Sequence, residues 1–135
     1  MHRPSPDVEV IGLERAEEGL TAAEIEELCT LALASAGVDE GHLAVEFVDA
    51  ARIHELNREH RGKDEPTDVL SFPIDGAGGS AGPRELGDVL ICPEHTTDQR
   101  EAVVHGALHL TGMDHETDDG EMLALQREIL GWQPR

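Results

Sequence analysis

Aromatic residues are nearly missing: Phe47, Phe72 and Trp132 are the whole complement, 2% of a 135-residue chain. A core must then come from Leu, Val, Ile and Ala, and Trp132, near the end, reads as a core or terminal anchor rather than a base-stacking platform. Long apolar runs are missing too. None approaches the ~20 residues of a membrane-spanning helix, and the opening MHRPSPDVEV has no apolar stretch of the secretory type. No membrane association is expected. Cysteine is limited to Cys29 and Cys92, which argues against a disulfide framework and for a reducing, cytoplasmic setting. Neither cysteine has a second metal ligand at a recognisable spacing.

Bases are scarce. Ten Lys and Arg face 29 Asp and Glu, a net charge of −19. Such a field repels polyanions and excludes indiscriminate RNA or DNA binding more firmly than it excludes one focused site. No DNA partner is expected. Arg52, Arg58, Arg61 and Lys63 nevertheless cluster in one short stretch, and a solvated helix face followed by a loop is the plain reading of them. Apolar residues at 39% rule against wholesale disorder. The length suits one domain over 1–135, with no internal repeat.

Local patterns predict an α+β fold: a small four-stranded mixed sheet covered by about four to five helices. Val8–Ile11 reads as a strand. Thr21 with Glu24 is a capping box, opening a helix with Ile25, Leu28, Ala32 and Ala36 on one stripe until Gly37. Leu43–Val48 is a second strand, with Leu43, Val45 and Phe47 on one face. Asp49 caps a helix carrying Ile53, Leu56 and His60, and Gly62 breaks it. Val69–Phe72 is a third strand stopped by Pro73, and residues 75–84 form a mobile hairpin-like loop. Leu86–Cys92 alternates as a fourth, with Leu86, Asp88, Leu90 and Cys92 on one side. Pro93 opens a helix to about Leu110. A last helix begins at Asp118 or Asp119, turns Met122, Leu125 and Ile129 inward, and stops at Gly131.

The chemistry lies in the run HGALHLTGMDH. His105 and His109 are four apart on a predicted helix, so both rings leave one face, separated by a rise of ~6 Å. Gly112 suits the left-handed conformation that ends a helix and folds the chain back, which brings His115 toward the same point. Three imidazoles fit one Zn²⁺ with a corner left for water, the pattern of a catalytic site. Nickel, copper or iron could occupy the same set. Two histidines alone are often an ordinary polar face; the apolar neighbours Val103, Val104, Leu108 and Leu110, with Gly112 and His115 in register, favour the metal. His2, His42, His54, His60 and His95 carry no such geometry. The spacing matches the metzincin pattern H-E-x-x-H-x-x-G-x-x-H except that Gly106 stands where a peptidase needs its glutamate. The scaffold reads as zincin-like, and the peptidase reading falls.

HGALHLTGMDH closely resembles the signature of the YbeY family of endoribonucleases. Leu56-Asn57, Arg61–Asp64, Pro66–Pro73 and Leu86–Val89 with Ile91 resemble further family blocks, in family order. Met113 departs from the family, where an aromatic residue is common, which touches a packing detail. The resemblance implies a metal-dependent, single-strand-specific endoribonuclease. It would act in 3′-end maturation of small-subunit (16S) ribosomal RNA and in ribosome quality control, with single-stranded RNA, ribosomal RNA and the small ribosomal subunit as partners. It implies His105, His109 and His115 as zinc ligands, His109 and Arg61 as catalytic, and Arg61 as the grip on the scissile phosphate, since a guanidinium meets phosphate oxygens at two points. Arg58 and Lys63 would extend that contact. No general base is evident: Asp114, Glu116, a zinc-bound hydroxide or the RNA 2′-hydroxyl are open choices, and Asp114 could instead orient His115. Asp68 and Asp88 match acidic family positions and could simply pin turns. A non-catalytic ribosome-assembly factor with a structural metal, or another zinc hydrolase such as a metallopeptidase, are the alternatives.

Overall fold

A computed structural model of the chain describes residues 6–74, 85–113 and 120–132. Four strands form one sheet: β1 (Pro6–Ile11), β2 (Gly41–Phe47), β3 (Val69–Pro73) and β4 (Glu85–Ile91). Their order is β1-β2-β4-β3, with β1, β2 and β4 parallel and β3 antiparallel on the edge beside β4. Four α-helices complete the α+β fold: α1 (Ala22–Ser35), α2 (Ala50–Arg61), α3 (Gln99–Leu110) and α4 (Glu121–Trp132). The glycine-rich stretch at 75–84 and the starting point of α4 at Asp118 or Asp119 lie outside the described residues, as does the Trp132 side chain. Among the described residues no helix is long and apolar enough to cross a membrane.

The caps read from the sequence are made. Thr21 Oγ1 accepts the Glu24 amide at 3.1 Å, and Asp49 Oδ1 accepts the Arg52 amide at 2.8 Å, each satisfying a donor that the first helical turn leaves open. The sheet buries both faces. Its larger core joins Val8, Leu43, Val45, Phe47, Val89 and Ile91 to Ile25, Leu28 and Ala32 of α1, Val103, Val104 and Leu108 of α3, and Met122 and Ile129 of α4. A second, smaller cluster of Val48, Ile53, Leu56, Leu70, Leu90 and Cys92 seats α2. Both cysteines are free and buried; burial, reinforced by Glu26, pushes the Cys29 thiol up to about 12, so it packs as an inert small apolar group.

Three local expectations are corrected. Strand β4 does not alternate cleanly, because the pairing passes from His42↔Glu85 to Leu43↔Gly87 and leaves Leu86 as an extra residue. This bulge turns Leu86 into the larger core with Val89 and Ile91, while Leu90 and Cys92 face the smaller one. Gly87 permits it: its φ is +131°, and a β-carbon there would overlap the Phe72 carbonyl. The chain from Pro93 makes only a short 3₁₀ turn to His95. Helix α3 starts afresh behind Asp98, whose Oδ1 accepts the Glu101 amide at 3.1 Å. On α2, Ile53 and Leu56 are buried together with Asn57, while His60 is exposed and meets Phe72 edge-on at 4.9 Å between centroids. Finally, α4 runs through Gly131 to Trp132, the propensity penalty of one glycine being only about 1 kcal/mol against the packing of the helix.

Candidate active site

Helix α3 is buried almost all round. Ala102, Val103, Val104, Gly106, Ala107, Leu108 and Leu110 are all covered. The open stripe is Glu101, His105 and His109, spaced by four residues each, so the two histidines are the chemistry that this helix presents. Gly106 allows the close seating: a β-carbon at 106 would collide with both methyls of Val89 on β4. The same contact shows that side chains at 106 aim into the sheet, away from the histidine stripe.

Each ring is held by its Nδ1. His109 Nδ1 lies 2.9 Å from the carbonyl oxygen of Met113, and His105 Nδ1 lies 2.8 Å from Oε1 of Gln126 on α4. Both partners are acceptors, so Nδ1 donates in each case and the neutral ring carries its lone pair on Nε2. The two Nε2 atoms then face each other at 3.2 Å, with rings 4.7 Å apart at 75°. Two lone pairs brought that close are a donor set for a cation. The Met113 carbonyl reaches His109 because Gly112, at φ +96°, folds the chain back. His115, Asp114 and Glu116 lie outside the described residues. Among the described residues no three His, Cys, Asp or Glu side chains converge as a metal-binding group.

A cleft of about 950 Å³ opens over these rings and crosses the outer side of edge strand β3 to Arg61 at the end of α2. Arg61 is exposed, and the turn behind it is pinned from within. The buried Asn57 side chain donates from Nδ2 to the Glu65 carbonyl at 2.8 Å, and the Asn57 backbone carbonyl accepts the Lys63 amide at 3.3 Å. Arg58 and Lys63 do not line the cleft. Arg58 instead joins the His54 ring, 2.7 Å from Asp64, in holding the Asp64 carboxyl below its ordinary value, with the His54 hydrogen bond the larger cause. Asp68 lines the cleft and pins the start of β3: its Oδ1 accepts the Val69 amide at 2.8 Å, and its carbonyl accepts the Cys92 amide at 2.8 Å. Asp88 sits on β4 opposite Phe72, outside the cleft lining.

Glu101 and Gln126 are among the cleft residues that the sequence reading did not single out, and His95, which it set aside, lines the cleft as well. Gln126 had a visible signal. It stands four residues after Met122 and three before Ile129, on the stripe where an apolar residue belongs, and is only 6% exposed. Leu125, expected there, is half-buried.

Residues 13–132 match the family described as Endoribonuclease YbeY. This chain belongs to the YbeY endoribonuclease family. An Endoribonuclease YbeY of Bacillus cytotoxicus is 43% identical over 129 residues, covering 79% of this chain and 83% of the relative. That of Rubrobacter xylanophilus is 41% identical over 129 residues, covering 91% and 93%. The solution structure of TM1509 from Thermotoga maritima superposes with a TM-score of 0.51 at 27% identity, covering 91% of this chain and 86% of that one. The YbeY match spans α1 to α4, so it takes in the arginine turn and the histidine helix alike.

Proposed function

We propose that this YbeY-family chain is a zinc-dependent endoribonuclease that cuts single-stranded RNA, with Arg61 gripping the scissile phosphate beside the histidine pair. One observation carries the reading: Arg61, from α2, and His105 and His109, from α3, open onto the same cleft. His105, His109 and, from the chain beyond Gly112, His115 would hold the ion. The donor chemistry fits, since both described rings direct Nε2 lone pairs to one place. A bound zinc supplies a Lewis acid and an acidified water.

The protein's own groups do the rest. The Arg61 guanidinium takes two non-bridging phosphate oxygens and offsets the charge that builds on them as the phosphorus becomes five-coordinate. Its planar fork also fixes the phosphate's orientation. The net charge of −19 supports a single strand over a duplex, because a flexible strand can bring one phosphate in while keeping its neighbours away from acidic surface. Ribosomal RNA of the small subunit, its 3′-end maturation and ribosome quality control in the cytoplasm are the setting we infer from the family.

Purified protein should cut a labelled single-stranded RNA and lose the activity on chelation. Arg61→Ala, still folded by circular dichroism, should lose about 10²–10³-fold in rate, the scale of removing one oriented charge-stabilising donor, and His109→Ala, likewise folded, should lose the activity as chelation does. Undiminished cutting by both variants overturns the assignment. Intact ribosome maturation with Arg61→Ala, together with a melting temperature lowered by chelator, would instead indicate a non-catalytic assembly factor.

A further inference from the structure

We propose that Gln126 is a positioning residue for the histidine pair: its side-chain oxygen holds the His105 ring in the tautomer and orientation that turn Nε2 toward His109. The inference rests on the metal-site reading above but concerns a residue outside the histidine motif, on a different helix.

Three observations converge on it. Gln126 is buried at 6% exposure in a stripe that is otherwise apolar, between Met122 and Ile129, each 0% exposed. Burying an amide there is costly unless its polar atoms are used. Its Oε1 lies 2.8 Å from His105 Nδ1, a hydrogen-bond length. The two rings are also supported unequally. His109 leans on a backbone carbonyl of its own chain turn, Met113, which no substitution removes. His105 leans on a side chain carried by α4, so its geometry depends on how α4 docks against α3. An acceptor at Nδ1 fixes the proton there and leaves Nε2 as the donor atom to a cation. Reversing the amide would point an N–H₂ at Nδ1, move the imidazole proton to Nε2, and aim that proton at His109.

The experiment reads the tautomer first and the metal second. In metal-free protein at alkaline pH, long-range ¹H–¹⁵N correlation spectra should show His105 protonated on Nδ1. Gln126→Leu should shift it toward the Nε2-protonated form, while Gln126→Glu, which keeps the acceptor oxygen, should retain the original pattern. His109 should be unaffected in both. Zn²⁺ affinity, measured by competition with a chromophoric chelator, should fall about 10–100-fold in Gln126→Leu and recover in Gln126→Glu, the usual cost of losing a partner behind a metal ligand.

An Nε2-protonated His105 in the unsubstituted protein overturns the proposal outright, and does so even if Gln126→Leu cannot be folded. Unchanged tautomer and unchanged zinc affinity in Gln126→Leu also overturn it. Absence of zinc binding by the unsubstituted protein with His105 protonated on Nδ1 would sink the metal reading while leaving the positioning role of Gln126 in place.

Discussion

Substituting alanine for Gly106 probes how tightly the histidine helix is seated, because the added carbon would meet Val89 at its branch point. Valine cannot swing away: its β-branched rotamer is stiff and the site is fully buried. Gly106→Ala should lower stability by about 1–3 kcal/mol, the usual cost of overpacking, read as a lower urea midpoint at unchanged slope. Trimming the opposite side in Gly106→Ala/Val89→Ala should recover part of that loss, since contacting sites couple. An unshifted midpoint in the single variant would mean that α3 rides farther from the sheet. The sequence reading used Gly106 only as the absence of a peptidase base. Its packing role was hidden because nothing in a one-dimensional pattern says which strand passes beneath a given helical turn. Arg61 was similarly half legible: a guanidinium near a helix end is visible, but its sharing of a cleft with residues of α3 depends on how the chain folds back around β3.

Across elements, a histidine ties three strands together. His42 on β2 sets Nδ1 2.9 Å from Glu85 of β4 and Nε2 3.6 Å from Glu9 of β1. The Glu85 hydrogen bond is the main cause that raises the ring's pKa above its ordinary 6.5; partial burial opposes it, and the charges of Glu85, Asp7 and Glu9 add to it. The folded form therefore binds the proton more tightly than the unfolded chain. Its contribution is fully present below the unfolded value while the carboxylates stay ionised, and it is lost as pH rises through the higher folded value. His42→Gln should thus melt below the parent near pH 5.5 and converge with it at alkaline pH. A gap independent of pH would assign the effect to packing alone. The element map was largely readable, since the caps at Thr21 and Asp49 and the alternation of β2 are local signals. The misreadings at Leu86, Pro93 and Gly131 share one physical origin. Bulges, 3₁₀ turns and helix overruns are settled by neighbours distant in sequence, which outweigh single-residue propensities.

For the molecule as a whole, a net charge of −19 contrasts with one arginine among the described residues that line the cleft, Arg61, and this contrast bears on salt dependence. RNA held at few phosphates should release few counterions. The logarithm of affinity for a non-cleavable single-stranded analogue should fall against the logarithm of salt with a slope of about −1 to −2, and Arg61→Ala should flatten it by about 0.7. A slope steeper than about −5 would reveal a broad basic track on this surface and contradict a focused contact. The two halves of the cleft also stand on unequal foundations. Arg61 belongs to a helix seated on the six-residue cluster, whereas the histidines belong to one wedged into the main core. Regions with fewer buried contacts open at lower free-energy cost. With the proposed ion bound, gentle heating should consequently silence the protein in two stages, the guanidinium drifting off first and the imidazoles retaining that ion until the sheet itself gives way. Cleavage followed alongside bound zinc during a slow temperature ramp would display that interval, and a simultaneous collapse of both signals would show that the layers fail together.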